Sequence, residues 1–394
     1  MGLTASVTVL ALFLPLIVAD LTTSDLAVGF AIGVEGLAAL TVPVLVGRSS
    51  DRSGNRTPYL LVATPLVAGG LLAVSLATTY WMIVAAVGVY FVGYSAYYTV
   101  YQALYPDTLP EHEYGRAWAY QSIFQGLAVG LALVGGGALF QAYRGTAFVV
   151  SAAVFVAIAI GTILAVSGKG LARGGSRSPL SAAAGLIRSV QRDSTLRTFL
   201  ATHFLWEFTL AAIRAFVLLY LLKGLGLDLV KLLPLLAAVV AIYLVASLTS
   251  GQVTDTGNLR RYASAMIIAY GAAMLTAGLT TAPAALGILF PFGMFGGAAI
   301  LMLAYPVLLK ATDRDHRVEY TAYYQANRGL ALLLGTSLTG LAIDSFGQHF
   351  PASHGYQVLW LVGAVAALAS LPLYRRLPHQ TNHDAPAQPK PRQT

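Results

Sequence analysis

Apolar runs of membrane length follow one another along nearly the whole chain, separated by short polar breaks. They lie at 3–19, 25–46, 58–79, 81–104, 116–140, 145–167, 197–222, 229–250, 261–280, 283–308, 318–343 and 355–374. Crossing the roughly 30 Å hydrocarbon core takes about 20 helical residues. Backbone N–H and C=O groups in hydrocarbon must be bonded within their own segment, so each run predicts a transmembrane helix. The pattern is that of an all-α membrane protein with twelve transmembrane helices. Met1–Val18 has no Lys or Arg ahead of it and so reads as the first span rather than a secretory signal.

Two of the polar breaks repeat each other. Residues 47–56 read GRSSDRSGNR and residues 251–260 read GQVTDTGNLR, with Gly47 and Gly251, and likewise Asp51 and Asp255, 204 positions apart. A second echo pairs Tyr120-Gln121 and Gln125-Gly126-Leu127-Ala128 with Tyr324-Gln325 and Arg328-Gly329-Leu330-Ala331. The duplication divides the chain into two pseudo-symmetric six-helix bundles, 1–167 and 197–374, an arrangement typical of secondary transporters. Residues 168–196 form the linker between them. Ser178-Pro179 reads there as a helix start, followed by apolar residues at helical spacing, so the segment is either an amphipathic helix on the membrane surface or a plain tether. The Pro-, Gln- and His-rich tail, 375–394, is expected to be disordered.

Composition excludes an ordinary soluble domain: 57% of residues are hydrophobic and 10% charged, against about 25% charged in soluble proteins. The net charge of +8 could signal nucleic-acid binding, but the placement of the cations argues otherwise. Arg48, Arg52, Arg56, Arg116, Arg188, Arg260, Lys310 and Arg314 fall in or beside the even-numbered connections and the linker, whereas only Arg144, Lys223 and Lys231 flank the opposite loops. By the positive-inside rule both termini are cytoplasmic, in a cell (plasma or inner) membrane, and no nucleic-acid partner is expected. The chain has no cysteine, and its His pairs, His349/His354 and His379/His383, lack a carboxylate cluster, so no metal site is expected. No catalytic motif is convincingly placed, which excludes an enzyme reading.

GRSSDRSGNR resembles the G-x-x-x-D-R-x-G-R-R/K loop of the Major Facilitator Superfamily. Gly47, Asp51, Arg52, Gly54 and Arg56 fit and Asn55 departs; Gly251, Asp255, Gly257 and Arg260 form a weaker second copy. Glycine would permit a tight turn between close helices. The resemblance implies that Asp51, with Gly47, Arg52, Gly54 and Arg56, latches the two halves on the cytoplasmic side in one state, with Gly251 and Asp255 as a lesser counterpart. Arg52 and Arg56 are expected to meet lipid phosphates. The stretches Tyr101–Ala117 and Phe204–Gly226 resemble prokaryotic facilitators, some of them similar to sucrose and glycoside cation symporters. Helix 4 lacks an arginine and helix 5 lacks a proline among its glycines, which tilts the reading from antiport toward symport.

Charges within the spans are costly and functional by default. Five titratable candidates fall there: Glu35, His203, Glu207, Arg214 and Arg328. The four permanent charges sum to zero, as pairing in a low dielectric requires. Glu35 and Arg328 lie at similar depth counted from the cytoplasmic ends of their spans, and the resemblance implies that helices 2 and 11 pack across the interface between halves, so a Glu35–Arg328 pair is expected there; the alternative is two residues each bonded within its own half. His203 and Glu207 are i, i+4 neighbours. The resemblance implies that helix 7 lines a central cavity, and an acid held in an apolar cavity suits proton carriage, so Glu207, then Glu35, with His203 as partner, are the candidates for coupling to a proton or monovalent cation gradient. Arg214 either binds substrate oxygens or neutralises Glu207.

On helix 4, Tyr90, Tyr94, Tyr97 and Tyr101 share a helical face. Tyr90 and Tyr94 are candidates for stacking on a solute, and Tyr98 and Tyr101 for an interfacial belt. Gln121, Gln125, Tyr324, Gln325 and Asn327 bring amides and a hydroxyl to mid-depth, for solute hydroxyls or for gluing helices. The reading is a monomeric transporter of a small organic solute, working by alternating access with no bound cofactor. Symport of a neutral, sugar-like solute comes first, proton-coupled export of amphipathic compounds second. A non-transporting membrane sensor is the reading from another class.

Overall fold

The computed structural model describes residues 1–53, 55–108, 114–167, 193–256, 259–311 and 317–377. Those residues form twelve long helices and no strand. The first six are α1 (Gly2–Leu21), α2 (Asp25–Ser53), α3 (Thr57–Leu76), α4 (Tyr80–Thr108), α5 (Tyr114–Ala142) and α6 (Thr146–Val166). The second six are α7 (Ser194–Leu219, extended by a π turn, Tyr220–Gly224), α8 (Leu229–Thr256), α9 (Leu259–Leu279), α10 (Pro283–Ala311), α11 (Arg317–Phe346) and α12 (Val358–Arg375). Eleven are long and apolar enough to cross a membrane, and α8 carries a shorter apolar stretch, Ala241–Ser250. The linker and tail expectations for 168–192 and 378–394 lie outside the described residues.

Helix starts follow local chemistry. Asp193 caps α7, its carboxylate accepting from the Thr195 and Leu196 N–H groups at 2.8 and 3.1 Å. That cap starts the helix three residues before the expected 197. Pro58 and Pro283 sit in the first turns of α3 and α10, where a missing N–H costs nothing.

The polar break after the second span is not the turn its composition predicts. Helix α2 continues through Gly47, Asp51 and Arg52 to Ser53, and α8 continues through Gly251 and Asp255 to Thr256. Helices α2, α4, α5 and α10 have 29 residues each, about 43 Å at 1.5 Å per residue. Their ends therefore project beyond the hydrocarbon, where polar residues extend a helix rather than break it. Gly47 is a packing position inside α2: a Cβ there would meet Thr99 Cγ2 of α4 at 3.4 Å. Arg56 corrects the lipid expectation. It is buried and its Nη1 donates to Ser50 Oγ at 2.7 Å, closing the end of its own loop. The side chains of Asp51, Arg52 and Asp255, the surroundings of Gly251, and Gly54 as a whole lie outside what is described.

The halves meet along α2 with α11, α5 with α8 and α1 with α7. Under the sequence repeat α2 corresponds to α8 and α5 to α11, so the first two contacts are pseudo-symmetric equivalents. The α2–α11 seam is backbone-close. A Cβ on Gly29 would overlap the Thr336 carbonyl, one on Gly36 the Gly329 carbonyl, and one on Gly340 the Asp25 carbonyl. Gly29→Ala is expected to destabilise the protein by about 1–3 kcal/mol through overpacking, read as a lower thermal midpoint. Gly69→Ala, where a Cβ meets nothing within 4 Å, is the control expected to leave the midpoint unchanged.

Candidate functional site

Two charge pairs lie between the halves and inside the second half. Glu35 of α2 pairs with Arg214 of α7, joining one bundle to the other. Glu207 of α7 pairs with Arg328 of α11, Oε2 to Nε at 3.6 Å, within the second bundle. The expected Glu35–Arg328 bridge is thus replaced, and Arg214 serves Glu35 rather than Glu207. Distance from the opposite helix ends explains the choice. Glu35 is ten residues from Asp25 and Arg214 ten from Gly224, at one depth; Glu207 is 17 from Gly224 and Arg328 18 from Phe346, at another. Counting from the other ends misled because those ends project by unequal amounts.

Glu207 is 5% exposed, whereas the Arg328 side chain is 46% exposed although it stands deep among helices. The guanidinium is therefore accessible although it stands among helices, with the carboxylate behind it. His203 Nε2 lies 3.4 Å from the other Glu207 oxygen, Oε1. Its ring is fully buried, stacking on Phe199 (centroids 5.7 Å, planes at 7°) and Tyr324 (4.1 Å, 23°). Asn327, next to Arg328 on α11, places its amide nitrogen 2.9 Å from His203 Nδ1 and 3.0 Å from the Leu200 carbonyl.

The structure sorts the aromatic and amide candidates. Tyr90 is fully buried and shares a hydrogen bond with Ser6 of α1 at 3.0 Å, while a Cβ on Gly70 of α3 would crowd its backbone; it is a packing residue. Tyr94 stacks between Tyr90 (6.0 Å) and Tyr98 (5.9 Å, planes at 5°), close enough to Glu35, Arg214 and Arg328 to feel their charges. Tyr97 and Tyr101 form a separate stack, with Tyr97 edge-on to Phe155 of α6. The single tyrosine face splits because four-residue steps keep a ring ladder where three-residue steps do not, and Tyr98 belongs with Tyr94. Tyr324 stacks on His203, and the Asn327 amide nitrogen contacts both His203 and the Leu200 carbonyl, so neither is a simple cavity-lining group. Gln121 keeps a buried Oε1 with no hydrogen-bond partner among the described residues. Gln125 is half-buried and Gln325 exposed.

A further cluster on the side where α2 begins escapes the span-by-span reading. Asp344, in the last turn of α11, accepts from the Asp25 N–H (2.8 Å), the Leu26 N–H (3.0 Å) and the Ser24 hydroxyl (2.8 Å). It caps a helix of the other half. Tyr356 bonds the Asp25 side chain; burial, then the Asp25 charge, pushes its phenol up. Lys223 donates to the Ala19 carbonyl at 3.1 Å and lies 3.5 Å from Asp20, which also pairs with Arg144. The sequence does carry a signal for Asp344: an acid in the last turn opposes its own helix dipole, so it stands where another helix supplies the positive end.

Among the described residues no group of three or more His, Cys, Asp or Glu could hold a metal ion.

The Major Facilitator Superfamily pattern matches residues 1–336 and 235–394. A bacterial homolog to the human lysosomal transporter Spinster, in an inward-facing and unoccupied conformation, superimposes with a TM-score of 0.80 at 14% identity, covering 95% of this chain and 93% of that one. The D-xylose-proton symporter superimposes at 0.70 with 16% identity, covering 96% of each chain. A 94-residue stretch is 35% identical to a protein of Agrobacterium vitis named "Putative tartrate transporter", spanning 24% of this chain and 21% of that relative. Twelve helices in two seam-joined bundles, with paired charges at the seam, belong with that match across the chain: this protein is a member of the Major Facilitator Superfamily, a membrane transporter and not an enzyme.

Proposed function

We propose that the protein moves a small polar organic solute by alternating access, coupled to a proton or monovalent cation through Glu207. The observation that carries this reading is the Glu207–Arg328 pair: a nearly sequestered carboxylate whose arginine partner is accessible. A cation arriving at Glu207 releases Arg328, and a solute that engages Arg328 releases Glu207, so the two occupancies are linked by one shared bond. Tyr94 and Tyr98 offer ring faces, and Gln121 an amide oxygen, to a neutral polyhydroxylated solute such as a sugar. The accessible Arg328 favours a second reading, a hydroxy-carboxylate whose anionic oxygens a guanidinium receives in parallel. The partial relative named for tartrate supports that second class, and the D-xylose-proton symporter supports the first.

Uptake into proteoliposomes of sugars and hydroxy-carboxylates, at pH 5.5 and 7.5, separates the two classes. For the solute that is taken up, Glu207→Gln is expected to abolish accumulation against a gradient while leaving downhill exchange. Gradient-driven accumulation by Glu207→Gln with unchanged pH dependence would remove Glu207 from the coupling role.

A further inference from the structure

We propose that Asn327 is a positioning residue that selects the tautomer of His203, placing the ring proton on Nε2 so that it faces Glu207. The inference starts from the Leu200 carbonyl, 3.0 Å from the Asn327 side-chain nitrogen. A carbonyl oxygen at that distance accepts a hydrogen bond. The amide must therefore turn its NH2 group toward it, since the reversed amide would set two oxygens against each other. One amide hydrogen goes to Leu200. The other points at His203 Nδ1, 2.9 Å away. A nitrogen that receives a hydrogen bond carries no proton, so the proton of the ring sits on Nε2.

The surroundings keep that choice. His203 is fully buried, and the Phe199 and Tyr324 rings stack on the imidazole and fix its plane. Nε2 has no hydrogen-bond partner closer than the Glu207 carboxylate, whose Oε1 stands 3.4 Å away. The other oxygen, Oε2, faces Arg328 Nε. The Asn327-Arg328 dipeptide of α11 thus holds the His203/Glu207 pair of α7 at both ends: Asn327 behind the ring, Arg328 in front of the carboxylate. Of the other charged or titratable groups, Arg214 bears on Glu207, while Glu35, Tyr94 and Tyr324 bear on its partner Arg328. A proton that reaches Glu207 meets an N–H on one side and a guanidinium on the other, and a second proton on the ring would have to displace the Asn327 bond.

The tautomer follows from geometry alone; its effect on transport rests on the proposed coupling role of Glu207. The test uses full-length protein with 15N-labelled histidine, reading the ring shifts that distinguish a protonated from an unprotonated nitrogen. His203 is assigned by difference against His203→Gln. Wild-type His203 is expected to be protonated on Nε2 and bare on Nδ1, and Asn327→Leu is expected to lose that single state. A proton on Nδ1 in the wild type, or an unchanged Nε2-protonated ring in folded Asn327→Leu, overturns the proposal. If Asn327→Leu does not fold, the wild-type spectrum decides alone. In the transport arm, Asn327→Leu is expected to change the proton concentration for half-maximal uptake by about threefold or more, the scale of one hydrogen bond. The expected spectra together with pH-dependent accumulation by Glu207→Gln would uphold the tautomer and overturn only the coupling role.

Discussion

Arg214→Gln leaves Glu35 nearly buried and without its counter-ion, and this is expected to be among the most damaging single changes in the protein. Glu35 is 8% exposed and its arginine partner 29%. Orphaning a buried charge costs about 3–5 kcal/mol; cavity water reaching the arginine brings the expectation to about 2–4 kcal/mol. The double variant Glu35→Gln/Arg214→Gln removes both charges together and is expected to regain most of the lost stability, since a neutral pair needs no compensation in low dielectric. Thermal unfolding of the two single variants and the double variant in detergent measures the coupling directly. A double variant that loses the sum of the two single losses would show that the two charges do not couple. Because this pair joins α2 to α7, uptake is expected to fall in all three variants, so stability and transport are read separately.

The second large effect concerns Asp344. Its three bonds to Ser24, Asp25 and Leu26 cross between halves, and any state in which α2 and α11 part on that side must break them. Asp344→Ala removes a helix cap worth about 1–2 kcal/mol at an exposed position, which shifts an opening equilibrium by about five- to thirtyfold. The chain has no cysteine, so one introduced thiol reports without background. Thr336 is 1% exposed and its side chain packs against Gly33 in the α2–α11 seam. In a Thr336→Cys parent, Asp344→Ala is expected to raise the rate of labelling by a membrane-impermeant thiol reagent by that factor. Asp344→Asn, which keeps one acceptor oxygen, is expected to fall between. Equal labelling rates in all three proteins would mean that the cap does not hold the seam shut.

Much of this architecture is legible in the sequence because hydrocarbon allows so few solutions. Twelve apolar runs, a 204-residue repeat and a basic asymmetry lead to two bundles without any contact being known. What escapes is whatever depends on rotation about a helix axis or on where a helix leaves the membrane. Gly47 to Ser53 reads as a turn because it is polar, yet beyond the hydrocarbon a polar segment is free to stay helical. Glu35, Glu207, Arg214 and Arg328 are visible as a neutral set, but their partners are not, because the spans mark hydrocarbon thickness rather than helix ends. Tyr90 and Tyr94, four residues apart on one face, part ways because α1 and α3 close over the first. Asn327 is recognisable as a polar group at mid-depth, while its bond to a fully buried ring depends on the azimuth of α11 against α7.

The balance of the two pairs carries a consequence for energetics. With Glu35, Arg214, Glu207 and Arg328 ionised, the centre of the empty protein carries no net charge, and Glu207 and Arg328 belong to the same half. In the proposed alternating-access cycle, reorientation of the empty carrier would then move no net charge through the membrane field, and voltage would neither help nor hinder the return step. Under the proposed coupling, a proton or cation at Glu207 would make the same centre positive by one unit, and a neutral solute would leave it so. Such a loaded step would draw about 2.3 kcal/mol from each 100 mV of potential when it carries the charge fully across. The electrical work of the cycle would fall on the loaded crossing alone.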